Sequence, residues 1–313
     1  MQCLIVDDIH PVLIHKLESV GLEVIYKPDF TLSLDFQMLA SADILIIRSK
    51  FQVTREILDQ APGLYLIGRA GAGLDNIDLD EARAREIDVV HAAEGNADAV
   101  GEHTIGLILG LLSKIASSDR SVRAGEWNRE LYRGVELKGK TVGLVGYGNM
   151  GRAVSRRLSS FGCEVIAYDK YLDNWPDHFA VRVDLDTLKS ESHILSLHIP
   201  LTDETAGMVD SEYLKSFRKG VFLINTSRGG IVQVDSILGC LLDGTLSGAA
   251  LDVLEDEPPL KNINNNPAKY EQLFGRDDVL LTPHIAGWSL ESYEKISRVL
   301  AIKIIDRLSQ LTK

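Results

Sequence analysis

The chain reads as an α/β protein built from two doubly wound parallel-sheet domains. Three observations predict this. Short β-branched and aliphatic runs alternate with amphipathic helical segments along nearly all of the 313 residues. The runs fall into two series separated by a long apolar-periodic helix, and the second series opens on a glycine-rich turn. A chain of this length also suits two domains of ordinary size.

The first series is expected as strands at Leu4–Asp7, Glu23–Tyr26, Ile44–Ile47, Tyr65–Ile67 and Val89–Val90. Each is short and mainly apolar, as strands buried on both faces are. Helical segments such as Val12–Ser19 and Arg55–Gln60 lie between them. The apolar periodicity from Ala97 to Ser117 predicts one unbroken helix, followed by a charged, aromatic stretch from Arg120 to Lys140. The second series is expected at Thr141–Val145, Glu164–Tyr168, Ile194–Leu197, Val221–Asn225, Gly248–Leu251 and Val279–Leu281. A final helix, Ser289–Leu311, starts soon after the last strand and can return to cover the first domain. The domains are then 1–98 with 287–313, and 99–286, with hinges near Asn96–Gly101 and Ala286–Trp288 and ligands expected in the cleft between them.

The glycine turn carries the first chemical signal. In Thr141-Val-Gly-Leu-Val-Gly-Tyr-Gly-Asn-Met-Gly151, Gly146 permits a tight turn out of the strand, Gly148 admits a pyrophosphate to the backbone, and Gly151 lets the helix pack on the sheet. Tyr147, Asn149 and Met150 complete the turn. The amides that open the helix favour negative charge. Asp169 follows at about the twenty-residue distance of a carboxylate that binds the adenosine ribose. It repels a 2′-phosphate and favours NAD over NADP, a preference that Lys170 weakens slightly.

Composition excludes other classes. A formal net charge of −12 argues against nucleic acid or an anionic membrane surface as partner. Three scattered cysteines, Cys3, Cys163 and Cys240, all in apolar runs that read as buried, suggest neither a disulfide framework nor a metal site. The N-terminus turns acidic too early for a signal peptide, and the apolar run around Thr104–Leu112 is too short to span a bilayer. A cytoplasmic location is expected.

Hydride transfer at a carbinol carbon needs a proton carrier and a cation for the substrate carboxylate. Arg228 in Asn225-Thr-Ser-Arg-Gly-Gly, Glu257 in Asp252-Val-Leu-Glu-Asp-Glu-Pro-Pro and His284 in Thr282-Pro-His each follow a strand of the second series, at the edge where ligands bind. Taken singly, each has a blander reading: a solvated cation, a charged loop, a capping histidine. Their shared edge favours the chemical one.

With these motifs in this order, the chain resembles the D-2-hydroxyacid dehydrogenases over essentially its full length, and within them the D-3-phosphoglycerate dehydrogenases. The resemblance implies a flavodoxin-like substrate domain and a Rossmann NAD-binding domain. It implies that Arg228 binds the substrate carboxylate and carbonyl oxygen, that His284 is the acid/base, and that Glu257 hydrogen-bonds it. It further implies cofactor contacts at His198, Pro200, Thr226, Asp252 and Gly287, and substrate contacts at Ser49, Ala72 and Asn96. The implied reaction is oxidation of D-3-phosphoglycerate to 3-phosphohydroxypyruvate, the entry to serine synthesis.

The substrate tail is read from Arg48 and from Arg69-Ala-Gly71-Ala-Gly73, at the ends of first-series strands. The two glycines expose amides that can cradle a carboxylate, and two arginines beside them suggest a phosphate; pairing of those arginines with interdomain acids is the alternative. The resemblance carries a phosphate contact to Arg129, reaching the site of a partner subunit. The long helix and the segment through Trp127 and Tyr132 suggest a two-fold homodimer, with a homotetramer as the larger alternative.

The chain departs from the family pattern in three places. No amino-acid-sensing domain is expected after Lys313, Gln233 replaces a customary acid without evident consequence, and Ala286-Gly-Trp-Ser-Leu-Glu291 looks more like the erythronate-4-phosphate branch. Erythronate-4-phosphate, hydroxypyruvate and glyoxylate therefore stay open as substrates. An NAD-sensing corepressor is the non-enzymatic alternative, but the chain shows none of the added interaction segments of such proteins.

Overall fold

The computed structural model describes residues 1–50, 52–175, 177–257 and 267–311. The chain divides into two compact units, Met1–Ala97 together with the segment from Trp288 onward, and Asp98–Gly287.

The first unit holds a five-stranded parallel sheet of β1 (Gln2–Ile5), β2 (Glu23–Tyr26), β3 (Ile44–Ile47), β4 (Leu66–Arg69) and β5 (Asp88–His91), ordered β2-β1-β3-β4-β5. β1 and β3 pair as Cys3↔Ile44 through Ile5↔Ile46. The order reverses between these two strands, so the loops that leave them diverge and open a crevice at the sheet's carboxyl end. Helices α1 (Pro11–Ser19), α2 (Leu32–Ala40), α3 (Arg55–Asp59) and α4 (Leu79–Ala84) connect the strands. β1 starts and ends two residues earlier than the run Leu4–Asp7 suggests; Asp7 lies beyond its end, where its carboxylate accepts the Arg48 amide at 2.6 Å.

The second unit holds a seven-stranded parallel sheet. Its strands are β6 (Thr141–Val145), β7 (Glu164–Tyr168), β8 (Val181–Arg182), β9 (Ile194–Leu197), β10 (Val221–Asn225), β11 (Leu246–Leu251) and β12 (Val279–Leu281), ordered β12-β11-β10-β9-β6-β7-β8. β8, absent from the sequence reading, is a two-residue edge strand whose side chains are both exposed. It therefore carries no apolar signature. Apolar clusters cover both faces of the sheet.

The expected single helix Ala97–Ser117 is instead two, α5 (Ala97–Leu112) and α6 (Ile115–Arg123), bent by 61°. Lys114 adopts φ +53° at the break. The cause is remote in sequence: the Val135 amide donates to the Leu112 carbonyl at 2.9 Å, and Lys114 Nζ donates to the Leu131 carbonyl at 3.0 Å. The first bond takes over a backbone carbonyl that a continuing helix would use, and the second ties the Lys114 side chain to the incoming segment. No single described helix is long and apolar enough to cross a membrane, though α5 and α6 together reach that length and composition. Cys163, expected buried, is only half-buried, unlike Cys3 and Cys240.

The remaining helices of this unit are α7 (Asn149–Leu158), α8 (Leu185–Glu191), α9 (Ser211–Lys215), α10 (Val234–Leu242) and α11 (Pro267–Phe274). The last helix, α12 (Leu290–Leu311), belongs to the first unit and buries Leu300, Ala301 and Ile304 against the five-stranded sheet. A Cβ on Gly68 would lie 3.1 Å from Ile304 Cδ1, so the small residue on β4 makes room for the helix.

Candidate active site

In the second unit the strand order reverses between β6 and β9, and the glycine turn leaves β6 at that point. Gly146 has φ +94°, and a Cβ there would meet the His198 carbonyl oxygen at 2.5 Å. A Cβ on Gly151 would meet the Gly146 carbonyl oxygen at 2.2 Å, so helix α7 comes this close to the turn only without a side chain. Gly148 faces open space. It is the N-cap of α7 and provides no side-chain cap, which leaves the first amides of the helix without a capping side chain, the arrangement that favours an anion.

Asp169 follows β7, and three backbone amides, those of Tyr147 (2.8 Å), Tyr171 (3.0 Å) and Leu172 (3.1 Å), donate to its carboxylate. The Tyr147 ring is core: it stacks on Trp175 at 4.3 Å and its hydroxyl donates to Asp177 at 2.6 Å. Of this residue only the backbone faces the turn's chemistry. After β9, His198 Nε2 pairs with Ser196 Oγ at 2.9 Å while its buried Nδ1 has no partner among the described residues. Burial pushes its pKa down to about 4, so the ring is neutral near pH 7. Pro200 ends this loop, exposed, with its carbonyl accepting the Thr205 hydroxyl at 2.7 Å. An uncapped helix end, an anchored carboxylate and an orphaned ring nitrogen suit a dinucleotide.

The adjoining carboxyl ends of β10, β11 and β12 carry the loops that hold Arg228, Glu257 and His284. Buried Asn225 shapes the first loop: its Nδ2 donates to the Arg228 carbonyl at 3.0 Å, and its Oδ1 accepts the Ser227 amide and hydroxyl at 3.0 and 2.7 Å. Arg228 is thereby held at the loop's crest, half-buried, with Nη1 donating to the Ser227 carbonyl at 2.7 Å. A Cβ on Gly229 would lie 1.9 Å from the Leu254 carbonyl oxygen, so the loops after β10 and β11 touch backbone to backbone.

Glu257 binds the Leu254 amide through Oε1 at 2.9 Å and His284 Nδ1 through Oε2 at 2.7 Å. Pro258 and Pro259 of this motif lie outside the described residues. The hydrogen bond that Glu257 accepts from Nδ1 is the main cause raising the His284 pKa, and the glutamate's charge adds to it. Burial and the Arg228 charge oppose the shift. With Nδ1 engaged, Nε2 is the ring nitrogen left to exchange a proton, and the side chain is half exposed. His284 also has φ +55°, a strained backbone for a non-glycine residue.

Asp252 holds that strained loop. Its carboxylate accepts the Thr282 hydroxyl at 2.6 Å and the Ile285 and Ala286 amides at 2.9 and 2.8 Å, and its carbonyl accepts the His284 amide at 2.7 Å. Gly287 continues directly from this anchor. Helix α5 adds two residues that the sequence reading passes over. His103 Nε2 meets Thr282 Oγ1 at 3.1 Å, and Thr104 Oγ1 meets Thr226 Oγ1 at 3.0 Å. Their one sequence signal is polarity within an otherwise apolar helix face.

Comparison with known proteins places the chain in a family. Residues 105–286 match the model of the D-isomer specific 2-hydroxyacid dehydrogenase NAD binding domain. The chain belongs to the D-isomer-specific 2-hydroxyacid dehydrogenase family.

Within that family it is 35% identical over 98% of its length to a D-3-phosphoglycerate dehydrogenase of Archaeoglobus fulgidus, of which it spans 57%. It is 36% identical over 87% of its length to a hydroxypyruvate reductase of Thermotoga maritima, of which it covers 87%. The D-lactate dehydrogenase of Aquifex aeolicus, solved with NAD and lactic acid, superposes with a TM-score of 0.83 at 29% identity, covering 99% of this chain and 96% of that one.

In this family member the first unit presents its own polar edge. Arg48 and Ser49 follow β3, and the Asp7 carboxylate accepts the amides of Arg48 and Lys50 at 2.6 and 3.2 Å. Arg69 ends β4, and its guanidinium lies over Gly71, where a Cβ would be 1.5 Å from Nη1. Asn76 Nδ2 donates to the Arg48 carbonyl at 3.3 Å, tying the loops after β3 and β4 together. The Ala72 carbonyl pairs with His91 Nδ1 at 2.8 Å, and Gly73 follows, half-buried. Asn96 Oδ1 is buried with no partner among the described residues. Arg129, in the second unit, is exposed.

Two expected outcomes arise from this geometry. Glu257→Gln removes the charge that favours imidazolium, so the pH at which ketoacid reduction falls away shifts downward, and the rise of hydroxyacid oxidation with pH also moves to lower pH. Initial rates in both directions across pH 5–9 check this, and an unmoved profile would contradict the pair. Lys170 forms an ion pair with Glu204, whose other oxygen accepts the Tyr171 hydroxyl at 2.6 Å. Glu204→Gln frees the lysine for a 2′-phosphate and is expected to raise the NADPH-to-NADH ratio of kcat/KM roughly fivefold. An unchanged ratio would show that the ion pair does not govern cofactor choice.

Proposed function

We propose that the protein is an NAD-dependent dehydrogenase that oxidises D-3-phosphoglycerate to 3-phosphohydroxypyruvate, the first step toward serine. The observation that carries the reading is the His284–Glu257 pair, at 2.7 Å, beside the Arg228 loop at the carboxyl edge of the seven-stranded sheet. In this reading Arg228 anchors the substrate carboxylate and carbinol oxygen. His284 Nε2 takes the hydroxyl proton in oxidation and returns it in reduction, and Glu257 orients and charges the ring. The Gly146–Gly151 turn, Asp169 and the His198 loop would hold NAD, which when bound supplies the hydride acceptor.

Arg48 and Arg69 support a phosphorylated substrate, since guanidinium binds phosphate through paired, charge-assisted hydrogen bonds. The exposed side chains of Trp127, Leu131 and Val135 support a homodimer. Reduction of hydroxypyruvate is the second reading, favoured by a match of similar strength to the Thermotoga enzyme.

A substrate panel with NADH separates the two. The proposal expects kcat/KM for phosphohydroxypyruvate to exceed that for hydroxypyruvate and glyoxylate by at least tenfold, on the order of one charged hydrogen-bonded contact. Equal values would replace it with the second reading.

A further inference from the structure

Arg48 stands at the point where the five-stranded sheet reverses its order, and its guanidinium lies over the indole of Trp288, with Cζ 3.7 Å from the ring centroid. The side chain is half-buried, and among the described residues no acceptor meets its N–H groups. The nearest carboxylates are engaged elsewhere. Asp7 binds the backbone amides of Arg48 and Lys50, while Asp8 accepts the hydroxyls of Tyr26, at 3.3 Å, and Tyr293. Both act on Arg48 only through space. A partly desolvated fork of five donors without an acceptor is poised for a ligand oxyanion.

Trp288, itself largely exposed, leads into an ordered helix start. Immediately after it, Ser289 and Ser292 exchange amide-to-hydroxyl hydrogen bonds at 2.9 and 3.0 Å and lock the start of α12. The indole packs against Tyr293 at 6.3 Å, and Tyr293 meets the His10 ring edge-on at 5.5 Å. His10 caps α1, its Nδ1 accepting the Val12 amide at 3.2 Å. An aromatic train therefore runs from a helix cap to the guanidinium.

We propose that Trp288 is a positioning residue that holds the Arg48 fork flat for a phosphate group, and so sets the preference for a phosphorylated over an unphosphorylated acid. The stack covers one face of the guanidinium and leaves its in-plane donors free, the arrangement that accepts two oxygens of one anion. A side chain already ordered loses less freedom on binding than one that must be gathered from solution. The inference deepens the phosphorylated-substrate reading and rests on it.

Steady-state kinetics and tryptophan fluorescence of the full chain test it. Trp288→Leu is expected to raise KM for phosphohydroxypyruvate about fivefold, with kcat within twofold and KM for glyoxylate little changed. Trp288→Phe recovers most of the loss. Equal KM increases for both substrates, or no recovery with phenylalanine, overturn the proposal. Titration with inorganic phosphate is expected to change the fluorescence saturably in the wild type and not in Arg48→Ala; a change that survives Arg48→Ala overturns it too. An Arg48-dependent phosphate signal without reduction of phosphohydroxypyruvate keeps the oxyanion site and removes the proposed substrate. Reduction with an unaltered KM in Trp288→Leu keeps the substrate and removes the role of Trp288.

Discussion

Replacing His284 with asparagine lowers turnover by about 10²–10⁴-fold while NADH binds as before. Asparagine isolates the proton-transfer role because it tolerates the φ of +55° at this position and can still donate to Glu257. What it lacks is a titrating nitrogen. Alanine would combine loss of the proton carrier with loss of the Glu257 bond and a backbone less able to hold that φ. The check is a paired measurement, kcat with the preferred ketoacid and NADH affinity by fluorescence titration. A fall in kcat of less than tenfold would place the proton carrier elsewhere, and weakened NADH binding would show that the histidine loop also shapes the cofactor site.

Replacing Asp252 with alanine has the largest expected effect on stability. The side chain is 2% exposed and takes the Thr282 hydroxyl and the Ile285 and Ala286 amides. The Ala286 amide is buried and the other two donors partly so; a buried donor left unmet costs about 1–3 kcal/mol, a partly buried one less. The sum corresponds to a fall in Tm of about 10 °C in a unit of this size. Turnover is expected to fall as well, because the same bonds hold His284 in its strained conformation. Calorimetry with parallel kinetics checks both. A Tm lowered by less than 2 °C would mean that the loop is held by other contacts.

Asp252 also shows where sequence reading stops. Its family likeness suggests a cofactor contact, but which protein donors surround a carboxylate depends on a loop thirty residues away, after another strand. Tyr147 is similar: its place in the glycine turn suggests a nucleotide contact, whereas its ring is buried against Trp175. The glycine positions were legible because each answers a local steric demand, at φ +94° for Gly146 and against the Gly146 carbonyl for Gly151. Arg228, Glu257 and His284 were legible because parallel strands deliver their carboxyl ends to one edge. The break between α5 and α6 was not, since the groups that bind there come from residues 131–135.

By itself, then, the sequence determined the two parallel sheets, the glycine turn of the second and the polar residues that follow its strands, because hydrophobic period and glycine sterics act over a few residues. Only the tertiary structure decided that Lys170 is paired with Glu204, that Asp252 anchors the histidine loop, and that Trp288 lies over Arg48. Those facts depend on hydrogen bonds and ring contacts between segments far apart in the chain, where no local periodicity records the partner.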